Sequence, residues 1–399
     1  MKTLKDYNFY NQKVLVRCDF NVPFVSGKIS DDFRIKKALP TIRYLKNQGA
    51  KVILISHLSA DEPLSKHQKL SLGPVAKLLS EFLREKINFG GKCLESKTKK
   101  LINKIKPGEI LMLENLRFYP EEEANDFAFA KELSGLADFF VNEAFSVCHR
   151  KHASIALAPR FLPYCAGLEL EREVEFLSKI ICNPPRPLIA VIGGVKIESK
   201  MSVIEKFLGI CDYLLFGGKI ANVILGLKGI CLKRIWLPDE ISLKIKHLNL
   251  ADPRIRLPLD VLVSPDTAGS VYVRTTGPAN VRQDEDIFDI GEDTVSAFSE
   301  IIKQAKAIFW SGTLGLTENE KFNQGTIKVV QAIVNNKDAL KIAGGGHTAA
   351  FLQRNNLLDK FSFVSVGGGA MLEFLAGEKL PGLEAIGVLI NNYAGNKKF

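Results

Sequence analysis

One stretch near the middle of the chain combines glycines and lysines in a way that suits phosphate binding. In LIAVIGGVKIESK, the apolar run Leu188 to Ile192 has the length of a buried strand, and Gly193-Gly194, Lys196 and Lys200 follow it. Glycine lets the backbone turn sharply and approach a bound group. If the next segment is helical, the two lysines lie four residues apart on one face. The pattern indicates either a phosphate site or an ordinary strand-to-helix turn with a solvated lysine face.

Three more strand-like runs in the second half also end in glycines. Turns of this kind that lead into helices are natural phosphate cradles, because free N–H groups and the helix dipole face the anion. The GxGxxG spacing of dinucleotide-binding folds is absent, which disfavours a nicotinamide dehydrogenase. The three runs are Tyr213 to Phe216 before Gly217-Gly218, Ile342-Ala343 before Gly344-Gly345-Gly346, and Phe363 to Val366 before Gly367-Gly368-Gly369.

The first half places polar and cationic residues after its strand-like runs. If these runs form one parallel sheet, the side chains that follow them gather at its carboxyl edge. Cations and amides there suit a small, multiply charged acid or a phosphate ester. Together the two halves predict phosphoryl transfer between a small acid and a nucleotide. The runs are Val14 to Val16, Val52 to Ile55, Ile110 to Leu113 and Phe139 to Val141, and the residues expected at the rim are Asp19, Asn21, Arg34, His57, Arg117 and Arg150.

An α/β scaffold must position these residues. Amphipathic stretches such as Lys36 to Asn47 and Leu72 to Leu83 alternate with the strand-like runs, which predicts parallel sheets. A helix with an apolar stripe at Leu170, Val174, Leu177 and Ile181 precedes the proline-rich segment 183–187, which ends it. We therefore expect an N-terminal acid-substrate domain over residues 1–166, a linker helix and junction over 167–187, and a nucleotide-binding domain over 188–377.

Composition narrows the class of protein. The chain has 399 residues, 46% hydrophobic and 25% charged, as expected for a soluble globular protein of two domains. Its net charge is +10, and residues 1–160 hold 27 Lys and Arg against 18 Asp and Glu, which predicts an anionic partner there. No basic run is interleaved with aromatics, so nucleic acid is disfavoured. With no apolar run of membrane-spanning length, no signal-peptide core and seven scattered cysteines, we expect a cytoplasmic protein with reduced thiols and no membrane partner.

Ten longer motifs occur in order along the chain: VLVRCDFNVPF, DDFRI, KVILISHL, ENLRF, HRKHAS, GGVKIESK, IFWSGTLGLTE, FNQGT, GGGHTAA and SVGGGAMLEFLAGEKLPG. In type, order and spacing they resemble those of the phosphoglycerate kinase family. The resemblance implies two doubly wound parallel-sheet domains joined by a linker helix, with a cleft between them. It also implies that the C-terminal tail, residues 378–399, packs back on the first domain.

The resemblance further implies an activity. This is the reversible transfer of the acyl phosphate of 1,3-bisphosphoglycerate to ADP, a glycolytic step carried out by a monomer on domain closure. Mg²⁺ accompanies ATP or ADP, with Mn²⁺ as an alternative ion. The chemistry requires little acid–base catalysis, because the accepting carboxylate is already ionised at pH 7. Alignment and charge neutralisation by cations remain.

By resemblance, 3-phosphoglycerate binds the rim residues named above. Arg34 and Lys200 are predicted to contact the transferring phosphoryl group, and Lys196 to guide the nucleotide and acyl phosphates. Glu318 is expected to bind the ribose hydroxyls, and Gly217, Gly218 and Leu314 to line the adenine side. The complete nucleotide-binding set is Lys196, Lys200, Gly217, Gly218, Leu314, Glu318, Gly344, Gly345, Gly346, His347 and Thr348.

Two departures from the family pattern bear on activity. Ala60 stands where an arginine of the acid rim is usual, and His347 stands where an aspartate ligates the nucleotide's magnesium. Magnesium prefers oxygen ligands, whereas imidazole suits softer metals. Three outcomes are open: another oxygen, such as water or the Thr348 hydroxyl, substitutes and leaves a weakened kinase; the preference moves toward Mn²⁺, Co²⁺ or Zn²⁺; or turnover is lost. The hypothesis is a working but weakened kinase, and the alternative is a non-catalytic descendant that binds a nucleotide or a protein partner.

Overall fold

The computed structural model describes residues 1–59, 70–230, 245 and 249–388. Ala60 therefore lies outside the described residues, as do positions 389–399 of the predicted tail. The described chain divides into two compact units. Unit 1 comprises Met1–Glu175 together with residues 379–388, and unit 2 comprises Phe176–Glu378. The functional assignment of residues 1–166 to an acid substrate and of 188–377 to a nucleotide stays a prediction.

Unit 1 is built on a six-stranded sheet in which every ladder is parallel. The strand order is β5-β6-β4-β1-β7-β8. Strands β4, β5 and β6 therefore lie on one side of β1, and the later strands β7 and β8 lie on the other. A two-stranded hairpin, β2-β3, lies outside it. The strands are β1 Lys13–Arg17, β2 Phe24–Val25, β3 Lys28–Ile29, β4 Lys51–Ile55, β5 Asn88–Phe89, β6 Ile110–Met112, β7 Phe139–Asn142 and β8 Tyr164–Ala166.

Unit 2 contains a second six-stranded parallel sheet, of order β11-β10-β9-β15-β16-β17. An antiparallel sheet of order β13-β12-β14 accompanies it. The strands are β9 Leu188–Ile192, β10 Tyr213–Phe216, β11 Ile255–Arg256, β12 Val261–Ser264, β13 Arg274–Thr276, β14 Asp286–Ile290, β15 Ala307–Ser311, β16 Leu340–Gly344 and β17 Phe363–Ser365.

Helices separate most of the parallel strands, as the alternating pattern predicts. In the described residues they are α1 Phe33–Asn47, α2 Gly73–Leu83, α3 Ser96–Lys104, α4 Pro120–Glu123, α5 Phe127–Ser134, α6 Leu168–Cys182, α7 Met201–Ile210, α8 Gly218–Leu227, α9 Glu292–Lys303, α10 Gln324–Asn335, α11 Gly346–Arg354, α12 Gly369–Ala376 and α13 Pro381–Glu384. None of them is long and apolar enough to cross a bilayer.

Apolar side chains cover both faces of the unit 1 sheet, because successive strand residues point to opposite faces. Val14 and Val16 of β1 belong to a buried cluster with residues of α1 and α2. Leu15, between them, belongs to a second cluster with residues of α3 and α5. Burial on both faces explains why these strands read as continuous apolar runs rather than alternating ones. The prediction of an α/β fold with parallel sheets is confirmed.

Helix α6 carries the apolar stripe predicted for the linker segment, with one correction. Leu170, Val174 and Leu177 are fully buried, and Ile180 rather than Ile181 completes the buried stripe. Ile181 is only partly buried. The division between the two units falls within this helix, after Glu175. Unit 1 resumes at Lys379 and includes α13, whose Gly382 N–H donates to the Cys148 carbonyl at 2.8 Å.

Candidate active site

Two side chains fasten the carboxyl ends of adjacent strands in unit 1. Ser56, just after β4, accepts from the Phe20 N–H at 2.9 Å and donates to the Cys18 carbonyl at 2.8 Å, so it joins the ends of β1 and β4. Asn115, after β6, accepts from the Leu58 N–H at 3.0 Å. The loops that follow β1, β4 and β6 are therefore held at one edge of the sheet. The predicted rim residues Asp19, His57 and Arg117 lie on these loops.

Asp19 organises one side of this rim. Its carboxylate accepts from the Arg34 guanidinium at the start of α1, from the Ser146 hydroxyl and from the Asn21 N–H. Asn21 Oδ1 in turn accepts from the Ser59 N–H at 2.9 Å. The structure thus brings Asp19, Asn21 and Arg34 together, although Arg34 follows no strand of the parallel sheet. Arg34 keeps about a third of its side chain exposed, at 31%.

His57 lies at the centre of the cationic side of the rim. It is buried, and desolvation together with the charges of Arg17, Arg117, Arg150 and Arg34 holds its pKa well below the ordinary value. Burial and neighbouring arginines also lower the pKa of His152 to about 3 and that of His149 to about 4. The histidines of this rim are therefore neutral at physiological pH, and the described cations that act on His57 are arginines.

Several contributors to this rim were missed from the sequence. Arg17 and Ser146 contact the predicted residues directly, and both Arg117 Nη atoms lie 3.4 Å from His152 Nδ1. His152 carried a usable signal, because it stands two residues after the predicted Arg150 in HRKH. Arg17 had a weaker signal in the sequence, because it is the last residue of an apolar strand and is itself fully buried.

The unit 2 edge is built from backbone rather than from charged side chains. A Cβ on Gly217 would lie 2.5 Å from Leu314 Cδ2, and one on Gly218 would lie 2.8 Å from the Gly194 nitrogen. Gly218 also has a φ of +58°, a value that favours glycine. Its N–H donates to the Leu314 carbonyl at 2.9 Å. The structure thus brings together Gly217, Gly218 and Leu314, the three residues predicted for the adenine side.

The predicted arrangement of Lys196 and Lys200 on one helical face is wrong. A 3₁₀ turn, Glu198–Lys200, intervenes, and α7 begins only at Met201, so Gly193-Gly194 does not lead directly into a helix. Lys196 is exposed. Lys200 instead folds back, and its Nζ donates to the carbonyls of Gly193 and Ser311, the latter at 3.1 Å. Burial lowers the pKa of Lys200 to about 8. Tertiary packing has therefore separated two lysines that the sequence pairs.

The glycine triplet at the end of β16 leaves fewer residues accessible to a phosphate than the sequence predicts. Gly344 is the last strand residue and lies buried against Met371, so it belongs to the core. Gly345 has a φ of +102° and leads into α11, where Gly346 and His347 are exposed. The Thr348 hydroxyl is buried and accepts from the Gly312 N–H at 2.8 Å. The two exposed residues are those that remain accessible to a ligand.

Glu318, the residue predicted for the ribose, lies on the loop after β15. It is exposed and follows Leu314 by four residues. Beneath the same loop, Asp289 accepts from the Gly325 N–H at 2.8 Å, at the start of α10. Burial raises the pKa of Asp289 to about 7. This carboxyl was not predicted to belong to the site, and its titration near neutral pH is a property of its burial.

The donor atoms near the glycine triplet do not fit a magnesium site built by the protein. Within residues 1–59, 70–230, 245 and 249–388, no three His, Cys, Asp or Glu side chains come together in a way that could hold a metal ion. The donors near the turn are the His347 imidazole and the Thr348 hydroxyl, which is fully buried and already accepts from a backbone N–H. Magnesium favours carboxylate, carbonyl and water oxygens. The direct substitution of Thr348 for an aspartate is therefore disfavoured.

Comparison with known proteins agrees with this arrangement. The family model described as phosphoglycerate kinase matches residues 4–378. The phosphoglycerate kinase of Borrelia turicatae is 40% identical over 390 residues, covering 97% of this chain and 99% of its own length. That of Dictyoglomus turgidum is 41% identical over 387 residues, covering 96% and 97%.

Solved structures give the same result. Phosphoglycerate kinase from Coxiella burnetii superposes with a TM-score of 0.84 at 36% identity, covering 96% of this chain and 98% of its own. The enzyme from Pyrococcus horikoshii superposes with a TM-score of 0.87 at 33% identity, covering 99% and 100%. Sequence and fold agree over nearly the whole chain. The chain therefore belongs to the phosphoglycerate kinase family.

Proposed function

We propose that this protein reversibly transfers the acyl phosphate of 1,3-bisphosphoglycerate to ADP, giving 3-phosphoglycerate and ATP. The observation that carries the proposal is the cluster of arginines and neutral histidines at the carboxyl edge of the unit 1 sheet. Arg34, Arg117 and Arg150 all act electrostatically on His57 there. Of these, Arg34 pairs with Asp19, and Arg117 Nε lies 3.5 Å from Glu123 Oε1. A site this cationic suits a ligand that carries both a phosphate and a carboxylate.

The reaction chemistry matches what the two units offer. In the direction that consumes ATP, a carboxylate oxygen of 3-phosphoglycerate attacks the γ-phosphorus, and the bond from that phosphorus to the leaving oxygen of ADP breaks. The attacking carboxylate is ionised at pH 7, so no side chain has to remove a proton. The protein must hold the reacting groups in line and neutralise charge on the transferring phosphoryl group. Arginines, a lysine and backbone N–H groups supply those functions.

Three side chains are assigned to the transferring group in this proposal. Arg34 approaches it from the acid rim, and Lys200 from the nucleotide side, with Lys196 guiding the nucleotide. Lys200 must exchange its carbonyl acceptors on Gly193 and Ser311 for phosphoryl oxygens. An anion favours the charged form of a buried lysine, so the ligand supports this exchange. Because the acid and the nucleotide are assigned to different units, the proposal includes closure on binding, which small-angle scattering with one ligand and with both would test.

The remaining parts of the proposal concern setting and metal. We expect a divalent ion, Mg²⁺ or Mn²⁺, to enter on the nucleotide phosphates with water completing its coordination. We also propose a cytoplasmic monomer without a nucleic-acid or membrane partner. Light scattering of the purified chain tests the monomer, and fractionation of the source cells tests the location.

A coupled assay with ATP and 3-phosphoglycerate, which detects 1,3-bisphosphoglycerate, tests the proposal. Thermal unfolding with 3-phosphoglycerate alone and with MgADP alone should accompany it, because a ligand that binds the native state raises the melting temperature. Turnover that Lys200→Ala abolishes supports the kinase. Stabilisation by both ligands without turnover in either metal would point instead to the non-catalytic alternative, which no structural observation favours. Absence of stabilisation by either ligand would contradict both assignments.

A further inference from the structure

A buried chain of polar side chains lies directly behind His57. It runs from Glu122 in α4 through Ser154 to Arg17 at the end of β1, and all three residues are fully buried. Ser154 donates from its hydroxyl to Glu122 Oε1 at 2.6 Å and from its N–H to Glu122 Oε2 at 2.8 Å. The serine oxygen accepts from Arg17 Nε at 2.9 Å. Glu122 therefore fixes the serine, and the serine fixes one side of the guanidinium.

The other two guanidinium nitrogens are directed by the same arrangement. Arg17 Nη1 donates to the Cys18 carbonyl at 2.6 Å, and Nη2 lies 3.3 Å from His57 Nδ1. If the carboxylate paired with Arg17 directly as a fork, it would occupy two of these nitrogens. The intervening serine leaves Nη2 available for the histidine. A buried arginine without a nearby acid would strongly destabilise the folded protein. The negative charge of Glu122 therefore also offsets the cost of burying Arg17.

The chemistry of arginine then decides the protonation of His57. A guanidinium has only donors, and it keeps its proton in proteins. The atom that faces it, Nδ1, must therefore accept, which places the imidazole proton on Nε2. Among the described residues, no group forms a hydrogen bond with Nε2. The charged groups around the ring are Arg17, Arg34, Arg117 and Arg150, with Asp19 and Glu122 acting on Arg17.

We propose that Glu122, Ser154 and Arg17 are positioning residues that present His57 as a neutral Nε2–H donor to the acid substrate. The inference rests on the proposed function for the identity of that acid, 3-phosphoglycerate. In this proposal the arginines supply the positive charge that binds the acid, and the hydrogen bond from His57 orients it. A neutral histidine of fixed tautomer donates one hydrogen bond in a fixed direction, to one oxygen of the substrate. Because it does not gain a proton over the physiological pH range, the strength of that hydrogen bond does not change there.

The Arg117–His152 pair supports this reading within the same unit. There, too, the guanidinium nitrogens face Nδ1 of a histidine, at 3.4 Å, and the pKa of that histidine is far below neutral. Arg117 is buried and Glu123 lies beside it. Two histidines of one rim thus have an arginine facing Nδ1. A role of Arg17 in tying strands together would not by itself require its third nitrogen to face an imidazole.

Selective NMR on the full-length protein tests the proposal. With ¹⁵N-labelled histidine, two-bond correlations report which ring nitrogen carries the proton, and the chain has six histidines. His57→Gln identifies the His57 signals by their loss. We expect Nδ1 without a proton and no titration of His57 from about pH 5.5 to 8, as its lowered pKa requires. A protonated Nδ1, or titration near pH 6.5, would overturn the proposal.

Variants of the chain separate positioning from support of the fold. Ser154→Ala and Arg17→Gln, whose amide can either donate or accept, should give His57 a mixture of tautomers and raise the KM for 3-phosphoglycerate by about tenfold, while kcat and the KM for ATP change less than twofold. Ser134→Ala is the matched control, because Ser134 is also a buried serine with two hydrogen bonds, to the carbonyls of Ala130 and Ala158. It should change neither quantity.

Two results would contradict the positioning role. One is a His57 spectrum in both variants identical to that of the unaltered protein. The other is an equal rise in the KM values for both substrates, or the same rise in Ser134→Ala. The NMR result is obtained without substrate, so it stands apart from the proposed function. An unaltered protein that 3-phosphoglycerate does not stabilise would refute the named ligand, whatever the tautomer.

Discussion

The two predicted ligand sites use different chemistry on the same kind of sheet. In unit 1, side chains from loops after β1, β4 and β6 bring arginines and neutral histidines to the edge. In unit 2, glycines after β9, β10 and β15 allow backbone segments to pack against one another, and one lysine is held by carbonyls. The first site depends on which side chains converge, whereas the second depends on which side chains are missing. Substitutions should therefore affect the two sites by different mechanisms.

The largest expected effect comes from Lys200, which backbone carbonyls hold in the unit 2 site. Lys200→Ala should lower kcat by about 10²–10³, as does the loss of a single charge-stabilising donor in other enzymes. Steady-state assays with both substrates at saturation measure it. Lys196→Ala should cost less, because Lys196 is exposed. Lys337→Ala, at another exposed position, is the control. Equal losses for Lys196 and Lys200 would remove the distinction that the structure draws between them.

Arg34→Met should be the most damaging single change among the predicted acid-rim residues of unit 1. It removes a guanidinium and leaves Asp19 without that cation. The KM for 3-phosphoglycerate should rise about tenfold to a hundredfold, the value of a charge-assisted hydrogen bond. The KM for ATP should stay within a factor of two. Lys36→Met on the same helix is the control, since Lys36 pairs with Asp32 at the surface. If both kcat and the KM for the acid were unchanged, Arg34 would be excluded from the site.

Gly218→Ala tests whether the unit 2 site requires a residue without a Cβ at this position. A Cβ there meets the Gly194 nitrogen and the Thr313 carbonyl at 2.8 Å, on a residue with φ +58°. We expect the KM for ATP to rise about tenfold and the stability to fall by about 1–2 kcal/mol from the left-handed backbone alone. Gly209→Ala, in α7 with open space around it, should be neutral or slightly stabilising. The assay and a urea titration measure both, and equal effects would contradict the packing argument.

His347→Asp addresses the departure at the nucleotide turn. A carboxylate supplies the oxygen that Mg²⁺ prefers, so Mg²⁺-supported turnover should rise by a few fold, up to about tenfold, relative to Mn²⁺. The ratio of the two activities is the measurement, with His347→Asn as a neutral control. An unchanged ratio would mean that His347 does not contact the metal that accompanies the nucleotide.

The last expected effect concerns pH and stability rather than turnover. Asp289 has a pKa raised from 3.8 to about 7, so the folded protein binds more protons than the unfolded chain between those values. Its contribution is favourable at low pH and is lost as pH rises toward 7, at about 1 kcal/mol per pH unit. Asp289→Asn should flatten this dependence in urea titrations. Asp293→Asn, which changes an exposed carboxylate, should leave it unchanged.

Many strands and the turns that follow them were predictable, because the sequence patterns that indicate them extend over only a few residues. Strands β9 and β10 end where their apolar runs end, at Ile192 and Phe216. Since parallel strands present their carboxyl ends at one edge, the residues after β1 and β4 were expected to meet, and Ser56 joins those loops. What failed were inferences about how short segments turn. The spacing of Lys196 and Lys200 predicted one helical face, but Lys200 ends a 3₁₀ turn and the α-helix begins only at Met201.

Local patterns were enough to predict the strands and the polar or glycine residues after them, because strand periodicity and glycine turns act over a few residues. What those residues contact depends on the packing of the folded chain. Lys200 bonds to a carbonyl 111 positions away, and Arg17 reaches a serine 137 positions away. Burial then set the protonation of His57 and Asp289, since the cost of a charge depends on all the groups packed around it. Such contacts join residues remote in sequence, and no local pattern encodes them.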